Sequence, residues 1–312
     1  MANLRVGIIQ HSPVFLDLEK SMQKAEQLLA DAAASGVRMA VFGECWLSGY
    51  PAWLDVCPDV ALWDSDPAKE VFYRLHESSI VVPGPETERL GALAKQHEMV
   101  VVMGVNEKVK EGPGNGTLYN SLLTFDANGK LVNHHRKLMP TYTERMVYGQ
   151  GDAVGLKSVD TAVGRVSSLI CWEHWMPMNR QVLHEDGELM HVAVWPNVHE
   201  MLQVASRSYA FEGRCFVLAA GLTMHASDMP PELTLPEHLA SQPDAWVLRG
   251  GSAIIGPDGF YVHEPVFDKE TIVMADIDPK AAVKERMTLD VTGHYYRDDI
   301  FKWSVNRKRR EE

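Results

Sequence analysis

The segment "GRVSSLICWEHWMP", residues 164–177, contains the change of pattern that decides the fold. Its first half ends in an apolar run and predicts a buried strand, whereas Pro177 is typical of the first turn of a helix. Cys171 therefore lies at a predicted strand-to-helix turn, followed by Trp172, Glu173 and His174. A cysteine in that place is a small core residue, a metal ligand or a nucleophile.

Strands and helices alternate on both sides of this segment, which is typical of an α/β fold. The predicted strands are the apolar runs 4–10, 37–44, 99–105, 164–171, 191–197, 215–221 and 271–278. The predicted helices are the runs 17–36, 86–98, 178–187, 200–214 and 279–287. Two hairpins with Asn-Gly and Asp-Gly turns, 118–137 and 252–265, resemble each other.

This repetition predicts two similar sheet-plus-helix halves, with their sheets face to face and their helices outside. No Pro/Gly/Ser-rich linker divides the chain, so we expect a single domain over 1–312. Residues 46–78 are rich in Trp and interrupt the pattern as a structured insertion. Residues 225–247 are expected to form an interface or a lid, and the charged end, 303–312, a solvated tail.

Composition excludes several classes of function. The chain has 42 acidic and 30 basic residues and a formal net charge of −12, which argues against binding to nucleic acids or anionic membranes. No apolar run is long enough to cross a bilayer, and the first ten residues indicate a strand, not a secretory signal. The 4 cysteines show no C-x-x-C spacing, so we expect reduced thiols in a cytoplasmic compartment.

Two more reactive side chains stand at the ends of predicted strands. Glu44 closes the run 37–44, and Lys137 closes the first hairpin. A thiol nucleophile needs a base and a group that stabilises negative charge, and α/β folds build their sites at strand ends. A salt bridge between Glu44 and Lys137 at the sheet edge explains the same two positions equally well.

Three blocks carry a family resemblance: "FGECWLSGYP" (42–51), "HRKLMPTYTERMVYGQGD" (135–152) and "LICWEHWMP" (169–177). They resemble the motif blocks of the nitrilase superfamily of carbon–nitrogen hydrolases, and the resemblance extends from about residue 5 to about residue 290. It implies a four-layer α-β-β-α sandwich and no metal or organic cofactor.

The resemblance also implies a role for each matching residue. Cys171 would be the nucleophile and Glu44 the general base. Lys137 would stabilise the tetrahedral intermediate, and Glu144 would hold this lysine. The backbone N–H of Trp172 would complete the site that binds the developing negative charge.

The Cys-Trp-Glu sequence at 171–173 resembles the nitrilase branch. We therefore expect hydrolysis of a small-molecule nitrile to a carboxylic acid and ammonia through a thioimidate and a thioester, with some amide as by-product. An amidase, a cyanide-hydrating enzyme and a non-catalytic scaffold of the same fold remain the alternatives. Aromatic residues near the motifs are expected to line the pocket and to suit an arylacetonitrile, namely Tyr50, Trp53, Tyr148, Trp172, Trp175 and Trp195. For Trp53 and Trp195, core packing explains the positions equally well.

Metal binding and assembly complete the expectations. The 13 histidines fit no common metal-ligand spacing, so we expect no metal site. The resemblance implies a homodimer or a larger homo-oligomer, including spirals. The short C-terminal region argues against filaments.

Overall fold

In a computed structural model, which describes residues 3–309, two β-sheets lie face to face between layers of helices. The strands are β1 (Leu4–Gln10), β2 (Met39–Phe42), β3 (Val100–Lys108), β4 (Leu118–Phe125), β5 (Leu131–Arg136), β6 (Val159–Thr161), β7 (Gly164–Ile170), β8 (Met190–Val194), β9 (Phe216–Ala220), β10 (Thr223–His225), β11 (Trp246–Ile255), β12 (Tyr261–Phe267) and β13 (Thr271–Ile277). The helices are α1 (Leu18–Ala34), α2 (Trp53–Val56), α3 (Asp66–Glu77), α4 (Pro85–Gln96), α5 (Pro177–Glu185), α6 (Glu200–Gly213), α7 (Glu237–Ala240) and α8 (Lys280–Glu285).

The first sheet has the strand order β13-β1-β2-β3-β4-β5. Strands β1, β2 and β3 are parallel, and the outer strands are antiparallel to their neighbours. Its strands are buried on both faces: Ile8 and Val41 face the second sheet, whereas Ile9 and Phe42 pack in the core that contains α1 and α4. Burial on both faces explains why these strands are continuous apolar runs in the sequence.

The second sheet has the order β10-β11-β9-β8-β7-β6, and β12 pairs with β11. Here β7, β8 and β9 form the parallel centre. Helices α5 and α6 cover the outer face through residues such as Val182, Leu183 and Tyr209, which pack in one core with the inner faces of both sheets. The layers are thus helices, sheet, sheet and helices, which confirms the predicted α-β-β-α sandwich.

The two halves are interlocked in a way that the sequence pattern did not predict. Strand β13, near the end of the chain, returns to the first sheet and runs antiparallel to β1. On the exposed side of this pair, Arg5 makes two hydrogen bonds to Asp276, at 2.9 and 2.8 Å. The pairing joins residues 271 positions apart, and local periodicity carries no information about such a contact.

The segments that interrupt the strand–helix pattern are structured parts of the same body. The insertion 46–78 forms α2 and α3, and it contributes the buried Trp46 and Trp53 to the core beneath α1 and α4. The described part of the tail, 303–309, has no regular secondary structure; Trp303 is half-buried, and Arg309 lies 3.2 Å from a carboxylate oxygen of Asp152. The tail is therefore partly docked, not wholly solvated; its last residues, 310–312, lie outside the described range. Within 3–309, no helix has the length and apolar character needed to cross a membrane.

Candidate active site

Cys171 lies directly after β7, at the point where the sheet gives way to helix. A 3-10 turn, Cys171–Trp175, starts here, and α5 follows it, so the predicted strand-to-helix turn is present. The backbone of Cys171 is left-handed, with φ of 53°. For a residue other than glycine this conformation costs roughly 1–2 kcal/mol, so the surrounding structure must hold it.

A buried lysine between two carboxylates forms the centre of the site. Lys137 Nζ lies 2.8 Å from Glu44 Oε1, and 2.9 and 2.8 Å from the two carboxylate oxygens of Glu144. All three side chains are almost completely buried. The short distances satisfy the ammonium group with three charge-assisted hydrogen bonds, which is the condition for keeping a lysine charged in the interior.

The neighbours of this triad hold both carboxylates in place. The Asn120 side-chain amide donates to Glu44 Oε1 at 2.6 Å, and the Tyr50 hydroxyl donates to Glu144 Oε1 at 2.9 Å. The backbone N–H of Thr141 donates to Glu144 Oε2 at 2.9 Å. Glu44 Oε2 is buried and has no hydrogen-bond partner among residues 3–309. This oxygen is therefore the one that is free to accept a proton.

Sequence reasoning missed Asn120, although a signal for it was present. The Asn-Gly turn predicts the β4–β5 hairpin, in which Ser121 pairs with Arg136. The next position in this register places Asn120 opposite Lys137, and the Lys137 N–H donates to the Asn120 carbonyl at 2.8 Å. The pairing shifts by one residue between Phe125 and Thr124, so the turn indicated which strands pair but not which residue faces the lysine.

Burial and neighbouring charges shift the pKa values of Glu44 and Lys137. Burial raises the pKa of Glu44 to about 7, against the lowering effect of the Lys137 ammonium. Burial lowers the pKa of Lys137, but the charges of Glu44, Cys171 and Glu144 together raise it by more. The pKa of Lys137 therefore lies well above its usual value. The lysine is consequently a fixed positive charge, and Glu44 is the group that exchanges a proton near neutral pH.

The thiol of Cys171 is protonated in the resting site. Burial raises its pKa most, Glu44 raises it further, and Lys137 lowers it. The backbone N–H of Trp172 also lowers this pKa. A base is therefore needed to generate the thiolate.

Glu173 joins the strand ends that carry the lysine and the cysteine. Its carboxylate accepts from the backbone N–H of Leu138 and from that of Ile170, both at 2.7 Å, and from His135 at 2.8 Å. Leu138 directly follows Lys137, and Ile170 directly precedes Cys171. From the sequence, Glu173 indicated only the branch of the family. In the structure, its buried carboxylate links the ends of β5 and β7 through hydrogen bonds.

A cavity of about 420 Å³ opens onto the cysteine. Of the predicted site residues, Tyr50, Glu144, Cys171 and Trp172 line it. Residues that no motif indicated complete the wall, and Val247 among them comes from the segment 225–247 that was expected to form a lid or an interface. Beyond the triad the wall is mixed: the aliphatic side chains of Val56, Leu202 and Leu248 stand beside aromatic and polar ones.

Four of the predicted aromatic pocket residues lie elsewhere, which corrects the sequence analysis. Trp53 is buried in the core beneath α1, and Tyr148 lines a separate cavity. Trp195 is fully buried and stacks on His174 at 4.6 Å between ring centroids, while Trp175 is 39% exposed and lines none of the cavities described here. Their closeness to the motifs in sequence misled the prediction, because successive residues of a strand or turn point in different directions.

No group of three histidine, cysteine or carboxylate side chains in the described part of the chain is arranged to hold a metal ion.

Comparison with known proteins adds independent information. The sequence model of the carbon–nitrogen hydrolase family matches residues 5–285. A bifunctional nitrilase/nitrile hydratase of Nicotiana tabacum is 35% identical over 302 residues, which cover 95% of this chain and 84% of that protein. An aliphatic nitrilase of Sinorhizobium fredii is 35% identical over 306 residues, with 98% of this chain and 96% of that protein covered. A crystal structure of a carbon–nitrogen hydrolase from Helicobacter pylori has the same fold, with a TM-score of 0.74, 18% identity and coverage of 96% and 97%.

Proposed function

Because the chain belongs to the carbon–nitrogen hydrolase family, we propose that it is a nitrilase, which hydrolyses an organic nitrile to the carboxylic acid and ammonia. The observation that carries the proposal is the buried Glu44–Lys137–Glu144 triad beside a cysteine that opens onto the cavity. The names of the relatives support nitriles as the substrate class.

In the proposed mechanism Cys171 is the nucleophile and Glu44 the base. The free Oε2 of Glu44 takes the thiol proton, and the sulfur forms a bond to the nitrile carbon. The nitrogen receives the proton and becomes the N–H of a thioimidate. Lys137 and the Trp172 N–H stabilise the negative charge that develops, and Glu144 keeps Lys137 in position.

Two water molecules complete the reaction. The first adds to the thioimidate carbon, with Glu44 as base, and gives a tetrahedral intermediate that bears hydroxyl, amine and sulfur. Loss of ammonia leaves a thioester, and the second water releases the acid and restores the thiol. If the C–S bond breaks before the C–N bond, the product is the amide, which corresponds to the second activity in the name of the tobacco relative.

A substrate panel tests this function. We expect ammonia from a set of aliphatic, aromatic and arylacetonitrile compounds, with acid as the main product and the amide as the minor one. The aliphatic side chains of Val56, Leu202 and Leu248 in the cavity wall favour substrates with an apolar group next to the nitrile. If the protein hydrolyses simple amides but no nitrile, the assignment changes to an amidase. If it hydrolyses only cyanide, the assignment changes to a cyanide-hydrating enzyme. No turnover of any compound would favour the scaffold.

The pH dependence follows from Glu44. The carboxylate must be ionised to accept the thiol proton, and its pKa is raised to about 7. Below that pH the ionised fraction falls, so kcat/KM at pH 6 is expected to be about tenfold below its plateau, with a limiting slope of one in a logarithmic plot. The measurement is kcat/KM from pH 5 to 9, with the folded fraction followed by circular dichroism at each pH. A plateau that continues unchanged to pH 5 would remove Glu44 as the base.

We further propose that the protein self-associates and works in the cytoplasm. The outer face of α5 and α6 exposes apolar side chains, among them Met178, Val204 and Phe211, which are suited to contact a second copy. The 4 cysteines are free thiols, which supports a reducing compartment. Light scattering in solution and cell fractionation test these two statements.

A further inference from the structure

A series of buried polar side chains in hydrogen-bond contact starts at the backbone carbonyl of Cys171 and extends into the interior, and it includes no member of the triad. His174 Nδ1 is 2.7 Å from the carbonyl oxygen of Cys171, and His174 Nε2 is 2.9 Å from His191 Nε2. On its other side, His191 Nδ1 lies 2.6 Å from the Ser167 hydroxyl and 3.1 Å from a carboxylate oxygen of Glu188. All of these side chains are buried, so the series belongs to the interior and not to the wall of the substrate cavity.

The direction of these hydrogen bonds is determined by the carbonyl. A carbonyl oxygen only accepts, so His174 Nδ1 must carry a proton. Burial and the neighbouring His191 hold the pKa of His174 well below its usual value, so the ring is neutral and its Nε2 is an acceptor. His191 Nε2 must then be the donor of the contact between the rings. The second histidine thus keeps the first in the tautomer that donates to Cys171.

The peptide held by His174 is the one that contains the proposed N–H donor. In a planar trans peptide the carbonyl and the N–H point in opposite directions, so holding the Cys171 carbonyl also directs the Trp172 N–H. This N–H lowers the pKa of the Cys171 thiol, so it acts on charge at the reactive sulfur. The hydrogen bond from His174 fixes the orientation of this peptide plane and with it the direction of the Trp172 N–H. Without that hydrogen bond, the plane would be held less firmly, and the N–H would be less well directed at the reacting atoms.

We propose that His174 is a positioning residue, which holds the Cys171–Trp172 peptide with its N–H directed at the negative charge that develops on the substrate. The proposal rests on the proposed function in that it assumes attack by Cys171 on a carbon–nitrogen bond. It assigns His191 the task of keeping His174 in the donating tautomer.

A competing explanation is packing alone. His174 stacks on Trp195 at 4.6 Å between centroids, so its ring also fills the core. A loss of activity on mutation is therefore insufficient, and the experiment must separate the hydrogen bond from the packing.

Two substitutions make this separation. His174→Phe keeps an aromatic ring against Trp195 but removes the donor. His174→Asn loses the ring, yet its side-chain amide nitrogen stands the same number of bonds from Cα as Nδ1 and can donate to the Cys171 carbonyl. Both leave His191 Nε2 without its partner, so the difference between them isolates the bond to Cys171.

The expected result is a loss of turnover in the phenylalanine variant and its rescue in the asparagine variant. For H174F we expect kcat to fall about 10²–10³-fold with KM changed little, as for removal of one donor to an oxyanion. For H174N we expect kcat within about tenfold of the wild type. The nitrile used is the best substrate of the panel.

Two probes of the cysteine provide a readout that packing would not produce. Aldehydes add to the thiol: a C–S bond forms, and the carbonyl oxygen takes up negative charge and then the thiol proton, so their affinity reports on the N–H donor. Iodoacetamide reacts with the same sulfur without forming an oxyanion. With phenylacetaldehyde and butanal, the affinity of H174F should fall by at least about tenfold, while its alkylation rate stays within about fivefold of wild type.

Val182→Ala serves as the matched control, because Val182 is buried in α5, the helix that follows His174, and does not line the cavity at Cys171. We expect it to lose stability but to keep kcat within about twofold. If H174F fails to fold, His174→Leu replaces it in the same comparison. Wild-type kcat in H174F, or equal losses in H174F and H174N, would overturn the proposal. Turnover of amides in place of nitriles by the wild type would overturn the nitrilase assignment alone, since amide hydrolysis also passes through an oxyanion.

Discussion

Replacing Cys171 with alanine is expected to lower nitrile turnover by at least about 10⁴-fold, because the reaction has no other group that can form the thioimidate. The fold should be retained, since the change removes a single sulfur atom and should cost about 1 kcal/mol. The measurement is ammonia release together with the free energy of unfolding in urea. The bound nitrile should remain unreacted in the variant.

The matched control for this variant is Cys215→Ala. Cys215 is also a fully buried free thiol, but it precedes β9 and packs in the core between the sheets and helices. It should lose a similar amount of stability and keep kcat within about threefold. Full activity of C171A, or equal losses of activity in the two variants, would contradict the assignment of the nucleophile.

Replacing Lys137 with methionine is expected to have the largest effect on stability. The substitution keeps the length of the side chain but leaves the buried carboxylates of Glu44 and Glu144 without the ammonium group that both contact. Removing one partner of a buried ion pair costs about 3–5 kcal/mol, because the remaining charge is neither paired nor solvated. Turnover should fall by about 10³-fold or more, since the group that stabilises the intermediate is gone. Urea unfolding and ammonia release measure the two effects.

A double variant separates the two consequences of losing the lysine. Lys137→Met combined with Glu144→Gln removes one of the stranded charges, so it should regain at least about 1 kcal/mol of stability over Lys137→Met alone. Its activity should stay at the level of the single variant, because no cation has been restored. Recovery of activity in the double variant would show that Lys137 serves only to neutralise Glu144.

The local pattern was sufficient to predict the architecture. Strand and helix periodicity depends on residues a few positions apart, so the run 164–171 and its helix at 178–187 were visible in the sequence. The same periodicity located Glu44, Lys137 and Cys171 at strand ends. It did not show that β13 completes the first sheet, because that pairing joins residues at opposite ends of the chain.

The pocket was the least predictable part of the site. Nearness in sequence placed Trp53, Tyr148, Trp175 and Trp195 at the cavity, but side-chain direction put them in the core, in another cavity or at the surface. Conversely, the cavity wall includes Val247, from a segment far from every motif. Which side chains face one cavity depends on how several elements pack, and no single segment contains that information.

By itself, then, the sequence of this protein determined which side chains are candidates for the chemistry and at which strand ends they stand, because both follow from residue type and short-range periodicity. Only the tertiary structure decided how those groups act on one another. The ammonium–carboxylate contact between Lys137 and Glu44 joins residues 93 positions apart, and the raised pKa of Glu44 results from burial by the whole fold. Electrostatic energies depend on distance in space and on exclusion of water, and both arise only when the strand ends are brought together.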